Sequence, residues 1–337
     1  MYQPNQRLKK PVKIFCELLL VFALLTLMSV GAIAIGLSVG SVKMSFGDVM
    51  AGLFDPVAPT ASVIRDLRLP RTLAAFACGG LLALAGALMQ VLLRNPLADP
   101  YILGISGGAG VGALLAIFFG LGVAGLNGFA FAGALIAILI VFGLAHGDGS
   151  WTQTRLLLTG VMVAAGCGAL ITLLLSIAPE ERLRGMLFWL MGDFSQGVKP
   201  TFALIGLLVI GLLTAPLARD LNVFIRGNDT AKALGVSVRF VRIAVYLLAS
   251  MATAVSVTTA GSVGFVGLVI PHLTRMMVGN DQRVLLPTSI LAGGIFLVLA
   301  DALARILIAP QQLPVGVVTA LIGVPVFLYL LNRARYQ

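Results

Sequence analysis

Charge is scarce in this sequence. Asp, Glu, Lys and Arg make up 11% of its 337 residues, against about 25% in a soluble globular protein. With 59% hydrophobic residues and a mean hydropathy of +1.04, the chain is solvated by lipid, and its backbone polar groups must be paired within the fold. Cysteine is nearly absent. Cys16, Cys78 and Cys167 lie in apolar stretches without a CxxC partner, which argues against a disulfide framework or a thiolate metal site. The two histidines, His146 and His272, share no ligand spacing, so no metal residues are assigned. There is no GxxxxGK[ST] phosphate loop, no Ser/His/Asp set and no pair of carboxylates. No catalytic residues are therefore expected. If ATP drives this protein, another subunit binds it.

What is present is apolar length. Long apolar runs, not alternating ten-residue segments, predict an all-α polytopic membrane protein instead of a β-barrel. About 20 residues cross the hydrocarbon, which gives candidate spans at 16–39, 70–93, 101–119, 125–145, 155–177, 200–218, 239–260, 264–278, 284–303 and 316–332. These are ten, the third and eighth being short. No linker or composition shift divides the chain, so 1–337 reads as one transmembrane domain. Its largest breaks are 40–69 and 178–199. The first run, Leu18 to Val39, follows a basic tail (Arg7, Lys9, Lys10, Lys13). It exceeds the roughly 7–15 residues of a signal-peptide core and reads as a retained span.

The net charge is +10. The cations sit mostly in short loops without interleaved aromatics, so they read as topology signals and partner contacts, with no nucleic-acid role. With the N-terminus in the cytoplasm, inside segments hold 15 Lys and Arg and outside segments 8. That imbalance predicts both termini in the cytoplasm. Arg68 and Arg71 at "RLPR" and Arg305 at the outer end of the ninth span are exceptions. Three arginines on the wrong side suggest an acidic partner there. Asp301, one turn before Arg305, is explained by an i, i+4 pair.

Two glycine-rich breaks interrupt the spans. In "RNPLADPYILGISGGAGVG" (94–112), Asn95-Pro96 and Asp99-Pro100 each end or start a helix, because proline lacks the N–H and restrains the residue before it. Gly104, Gly108 and Gly112 follow at a spacing of four, which on one helix face allows close backbone approach in lipid. A re-entrant turn lining a translocation route is the other reading, and both can hold. The second break, "GSVGFVGLVIPHLTRMMVG" (261–279), carries Pro271. Paired broken helices in two halves of a chain point to a transport route. His272 reads as a hydrogen-bonded structural histidine. The polar segment 219–242 contains Asp229, Ala231, Lys232, Leu234 and Gly235, a short amphipathic helix closed by glycine. It is either a solvated loop helix or, given five cations around it, a docking surface.

The segments "RLPR" (68–71), "GALMQVLLRNPLADPYILGISGGAGVGA" (86–113), "AKALGV" (231–236), "GFVGLVIPHLTR" (264–275), "DALAR" (301–305) and "LPVGVVTALIGVPVFLYLL" (313–331) together resemble the FecCD-type permeases. These are the membrane subunits of ABC importers for ferric siderophores, haem and vitamin B12. The resemblance runs in order through nearly the whole chain. It implies a ten-helix subunit of a bacterial or archaeal inner membrane, paired as a homodimer or with a paralogue. Two cytoplasmic ATPases that bind ATP and Mg would join it, with a periplasmic or lipid-anchored binding protein. It also implies that Arg68, Arg71 and Arg305 meet glutamates of the binding protein. The coupling segment maps to about 219–240, with Asp229 to Val236 as coupling helix. Thr152, Gln153 and Thr154 form an inner gate, and 94–112 is a broken connection beside a central passage. The passage walls inferred are apolar and uncharged, which suits a bulky chelate such as an iron chelate or cobalamin. An oxyanion such as molybdate carried by the same machinery is the alternative. An ion-coupled secondary transporter would need a buried coupling carboxylate near mid-membrane; Glu17 and Asp301 lie near span ends.

Overall fold

The computed structural model of the protein describes residues 9–40, 42, 44–145, 152–195 and 199–334. His146 and Arg7, both cited above, lie outside them. In chain order the helices are α1 (Lys9–Ser38), α2 (Phe46–Phe54), α3 (Leu69–Leu92), α4 (Ile105–Phe118), α5 (Val123–Ala145), α6 (Gln153–Ile177) and α7 (Glu180–Met191). There follow α8 (Thr201–Thr214), α9 (Ala218–Phe224), α10 (Asn228–Ala233), α11 (Val238–Ala260), α12 (Val266–Val278), α13 (Gln282–Ala304) and α14 (Val315–Ala334). Among the described residues, seven helical stretches are long and apolar enough to cross a membrane, and three shorter apolar ones, 105–118, 266–278 and 315–330, complete ten. This is the all-α polytopic architecture expected.

The short third and eighth spans have a structural cause. α4 and α12, at 14 and 13 residues, reach only about 20 Å at 1.5 Å per residue. The non-helical chain before each, 100–104 and 261–265, is buried or half-buried in protein, where irregular backbone is tolerated. The expected third span began at 101. Instead a 3-10 turn occupies Pro100–Leu103, and Gly104 (φ 73) caps α4 from outside it. Gly104 therefore does not share a helix face with Gly108. Pro271 does not break the eighth span either, since α12 continues through it. The break lies earlier, at Gly261 (φ 69) and Phe265 (φ 68).

α3 is the hub. Its membrane window is 89% buried, and it packs against α13, α11, α12 and α8. Small residues let this happen. A Cβ at Gly86 would lie 1.8 Å from the carbonyl oxygen of Gly267 in α12, and one at Gly79 would lie 2.2 Å from that of Gly293 in α13. Without a hydrophobic drive between helices in lipid, such backbone contact is what holds a bundle together. Pro271 contributes here: lacking an N–H, it cannot bond Gly267 O within α12, and that is the carbonyl that faces Gly86.

The two large breaks hold helices that were not anticipated. α2 starts with a reciprocal cap in which Ser45 Oγ accepts from Asp48 N and Asp48 Oδ2 accepts from Ser45 N. The hydroxyl and amide of Ser45 hold the Asp48 carboxyl below the usual carboxylate range. A depressed acid stabilises above its unfolded pKa and loses that contribution as pH falls through the folded one. The protection factor of the Asp48 amide, its exchange relative to the intrinsic rate at each pH, is therefore expected to fall on acidification in the wild type. In Asp48→Asn it should show no such fall.

Candidate functional site

The two glycine-rich breaks meet. Tyr101 Oη, on the 3-10 turn before α4, donates to Val263 O at 3.0 Å and accepts from Val263 N at 3.0 Å. Ser106 Oγ donates to Ser262 Oγ at 2.9 Å. Pro100 lies against the position a Cβ at Gly267 would take, 2.9 Å away. A side chain of the first break thus satisfies the backbone of the second. Gly108 and Gly112 serve packing: Cβ atoms there would lie 2.4 Å from Gly133 O and 2.0 Å from Phe129 O of α5. Asn95 Oδ1 accepts from Leu97 N, and Asp99 Oδ1 from Tyr101 N. Asn95-Pro96 and Asp99-Pro100 are therefore turn formers. Sequence reading missed Tyr101, Ser106 and Ser262, because a single hydroxyl in an apolar run carries no pattern.

The three outer arginines are engaged inside the fold. Arg68 is 7% exposed and Arg305 4%. Arg68 Nη1 donates to Leu37 O at 2.7 Å and to Ser38 O at 3.0 Å. Arg305 donates to Gly36 O and Val39 O, each at 2.9 Å. The two guanidiniums satisfy the last carbonyls of α1, where four acceptors lack helical partners and the dipole is negative. Arg71 pairs with Asp301 at 2.8 Å, and its Nη1 donates to Gln312 Oε1 at 2.7 Å. Asp301 also pairs with Arg305, at 3.2 Å. The expected i, i+4 pair is present, with Arg71 as a second partner from α3. The three arginines expected to meet glutamates of a binding protein are thus each held by acceptors within the fold.

At the opposite end, α10 covers residues 228–233 and Gly235 follows at φ 78, the left-handed position a glycine-closed helix requires. Ala231 is buried against the bundle. Asp229, Lys232 and Leu234 are exposed, Leu234 at 63%. Phe240, at 60% exposure, adds a second apolar side chain near the start of α11. Arg94 ties this helix to the first break: its Nη2 donates to Asn228 Oδ1 and Phe224 O, and its guanidinium lies 4.9 Å from the centre of the Phe224 ring. Of the gate residues, Thr152 caps α6 by accepting from Arg155 N, and Gln153 Nε2 donates to Leu92 O at the foot of α3. Thr154 is exposed.

A helical membrane domain with two interlocked broken helices and a short exposed helix at one end has the architecture of a transport subunit. The FecCD transport family model matches residues 24–333, and the chain belongs to that family of ABC importer permeases. It is 39% identical over 273 residues to the vitamin B12 import system permease protein BtuC of Citrobacter koseri, covering 80% of this chain and 83% of that one. To the ABC transporter permease protein YvrB of Bacillus subtilis it is 38% identical over 282 residues, 81% and 79% of the two chains. Among solved structures, an inward-facing metal-chelate type ABC transporter superposes with a TM-score of 0.81 at 33% identity, over 94% of this chain and 99% of the other. PsaBC of Streptococcus pneumoniae shares the fold at 22% identity and a TM-score of 0.52.

Proposed function

We propose that this permease carries a bulky chelate, cobalamin or an iron chelate such as a ferric siderophore or haem, across a bacterial or archaeal inner membrane. Its similarity to vitamin B12 permeases over most of both chains carries the reading. The termini and α10 face the cytoplasm in this proposal. Two copies of the chain form the membrane unit, and two ATPases dock on α10 and supply the ATP and Mg chemistry. A binding protein delivers the substrate at the end that holds Arg68, Arg71 and Arg305. Arg71, with its Nη1 edge at the rim beside Gln312, is the member placed to meet a carboxylate. Arg68 and Arg305 shape that platform from within.

Two measurements test the proposal. Co-purified binding protein, examined by mass spectrometry, is expected to hold a metal chelate; molybdate in its place would refute the substrate class. Proteoliposomes with the permease alone are expected to hydrolyse no ATP, and those with the cognate ATPase to do so.

The α10 docking reading has its own test. At Gly235 nothing lies within 4 Å of an added Cβ, so Gly235→Val strains only the left-handed backbone. We expect a folded subunit whose ATP-driven uptake drops severalfold or whose complex does not assemble. Wild-type uptake by this variant would remove α10 from the coupling path.

A further inference from the structure

Beside α10 lies a cavity of about 830 Å³ at the foot of α3, and four arginines line it: Arg94, Arg226, Arg275 and Arg283. The one carboxylate on its wall, Asp281, is already committed. Its Oδ1 accepts from Asn222 Nδ2 at 2.7 Å and from Arg283 N at 3.0 Å, capping α13. Among the described residues the ion pairs are those of Asp301, and none of them gives these four guanidiniums a carboxylate partner. Arg94 is held by carbonyl and amide oxygens, with its buried Nε lacking an acceptor. Arg275 gives one Nη2 bond to Gln90 Oε1. Arg226 and Arg283 are exposed. Like charges gathered around one concavity repel unless an anion enters it, and guanidinium forks fit carboxylate oxygens bidentately.

Position indicates which anion. α3 is enclosed by α8, α11, α12 and α13, and the cavity lies at its foot, where Gln90 and Val91 line it. It is continuous with α10, because Arg94 lines the cavity and also binds Asn228. We propose that this basin receives an acidic segment of the ATP-hydrolysing partner, as a second, electrostatic contact beside the apolar one at Leu234. The inference rests on the reading that α10 is the docking element. Arg94 would then join the contact to the connection 94–104, and through Tyr101 to the second break.

The test uses full-length permease in neutral-lipid nanodiscs and its cognate ATPase subunit, with affinity measured at low and high salt. Arg226→Glu with Arg283→Glu is expected to weaken binding at least about tenfold at low salt and to flatten the salt dependence. Arg226→Lys with Arg283→Lys should let a carbodiimide join the new amines to Asp or Glu of the ATPase, read by mass spectrometry. Leu234→Asp probes α10 separately. If Leu234→Asp abolishes binding while the double reversal changes neither affinity nor salt dependence, the basin inference fails and the docking reading stands. If neither variant affects binding, both fail. A phospholipid retained by wild type in native mass spectrometry and released by the reversal, with ATPase affinity unchanged, would make the basin a lipid site and overturn the proposal.

Discussion

Gly86→Val is expected to give almost no folded permease in detergent. The added Cβ would sit 1.8 Å from Gly267 O, 2.5 Å from its carbonyl carbon and 2.7 Å from its Cα. Overpacking a core costs about 1–3 kcal/mol when side chains can move aside, but every atom met here is backbone. Relief would require α3 and α12 to separate, which would pull Pro100 and the Tyr101–Val263 bonds with them. Gly143→Ala, where nothing lies within 4 Å, is the matched control, expected to melt at or slightly above wild type because alanine favours helix. Size-exclusion profiles and thermal melts decide it. A monodisperse Gly86→Val melting like wild type would show that the α3–α12 contact is not required.

Asp301→Ala is expected to be the most damaging single loss of a charged side chain. Asp301 is fully buried and answers both Arg71 and Arg305. Removing one partner of a buried pair costs about 3–5 kcal/mol, because the remaining charge is left uncompensated. Here two guanidiniums are left, one of which also holds the end of α1 through Gly36 and Val39. Asp301→Asn keeps an acceptor and should fall between wild type and Ala. Thermal melts of the three proteins rank them, and equal melting temperatures would refute the coupling. The same geometry changes what an arginine reversal means. Arg68→Glu would place an anion against the carbonyls of Leu37 and Ser38, so it should destabilise the fold before docking is ever tested. Arg71→Gln, at the rim, separates the two roles better: a modest stability loss with a larger loss of binding-protein affinity.

Much of the fold was legible because lipid imposes a simple rule. A span needs an unbroken apolar run of fixed length, and charge marks where runs end, so the ten spans and the short polar helix at 228–233 were readable from local composition. The helices inside the two breaks, α2 and α7, were not read. Both are short, and α7 owes its place to Met186 and Trp189 packing inward, which no local pattern announces. Gly235 was readable as a helix end because a left-handed residue after a short polar helix is a local backbone demand. Pro271 was misread as a break because proline removes one helical bond, and only the packing of α12 against α3 and α13 shows that the helix continues through it.

The sequence by itself determined that this is a lipid-solvated helical protein, and its ordered motifs marked it as a FecCD-type transport subunit. Apolar run length, scarce charge and the missing phosphate loop are properties of the chain taken piece by piece. Only the tertiary structure decided what the polar residues do. Arg68 and Arg305 hold the end of α1, Asp301 acquired Arg71 from 230 residues away, and four arginines from three separate stretches of the chain converged at the foot of α3. A buried or clustered charge is defined by the partners around it, and those partners come from other helices, so its role exists only once the helices are packed.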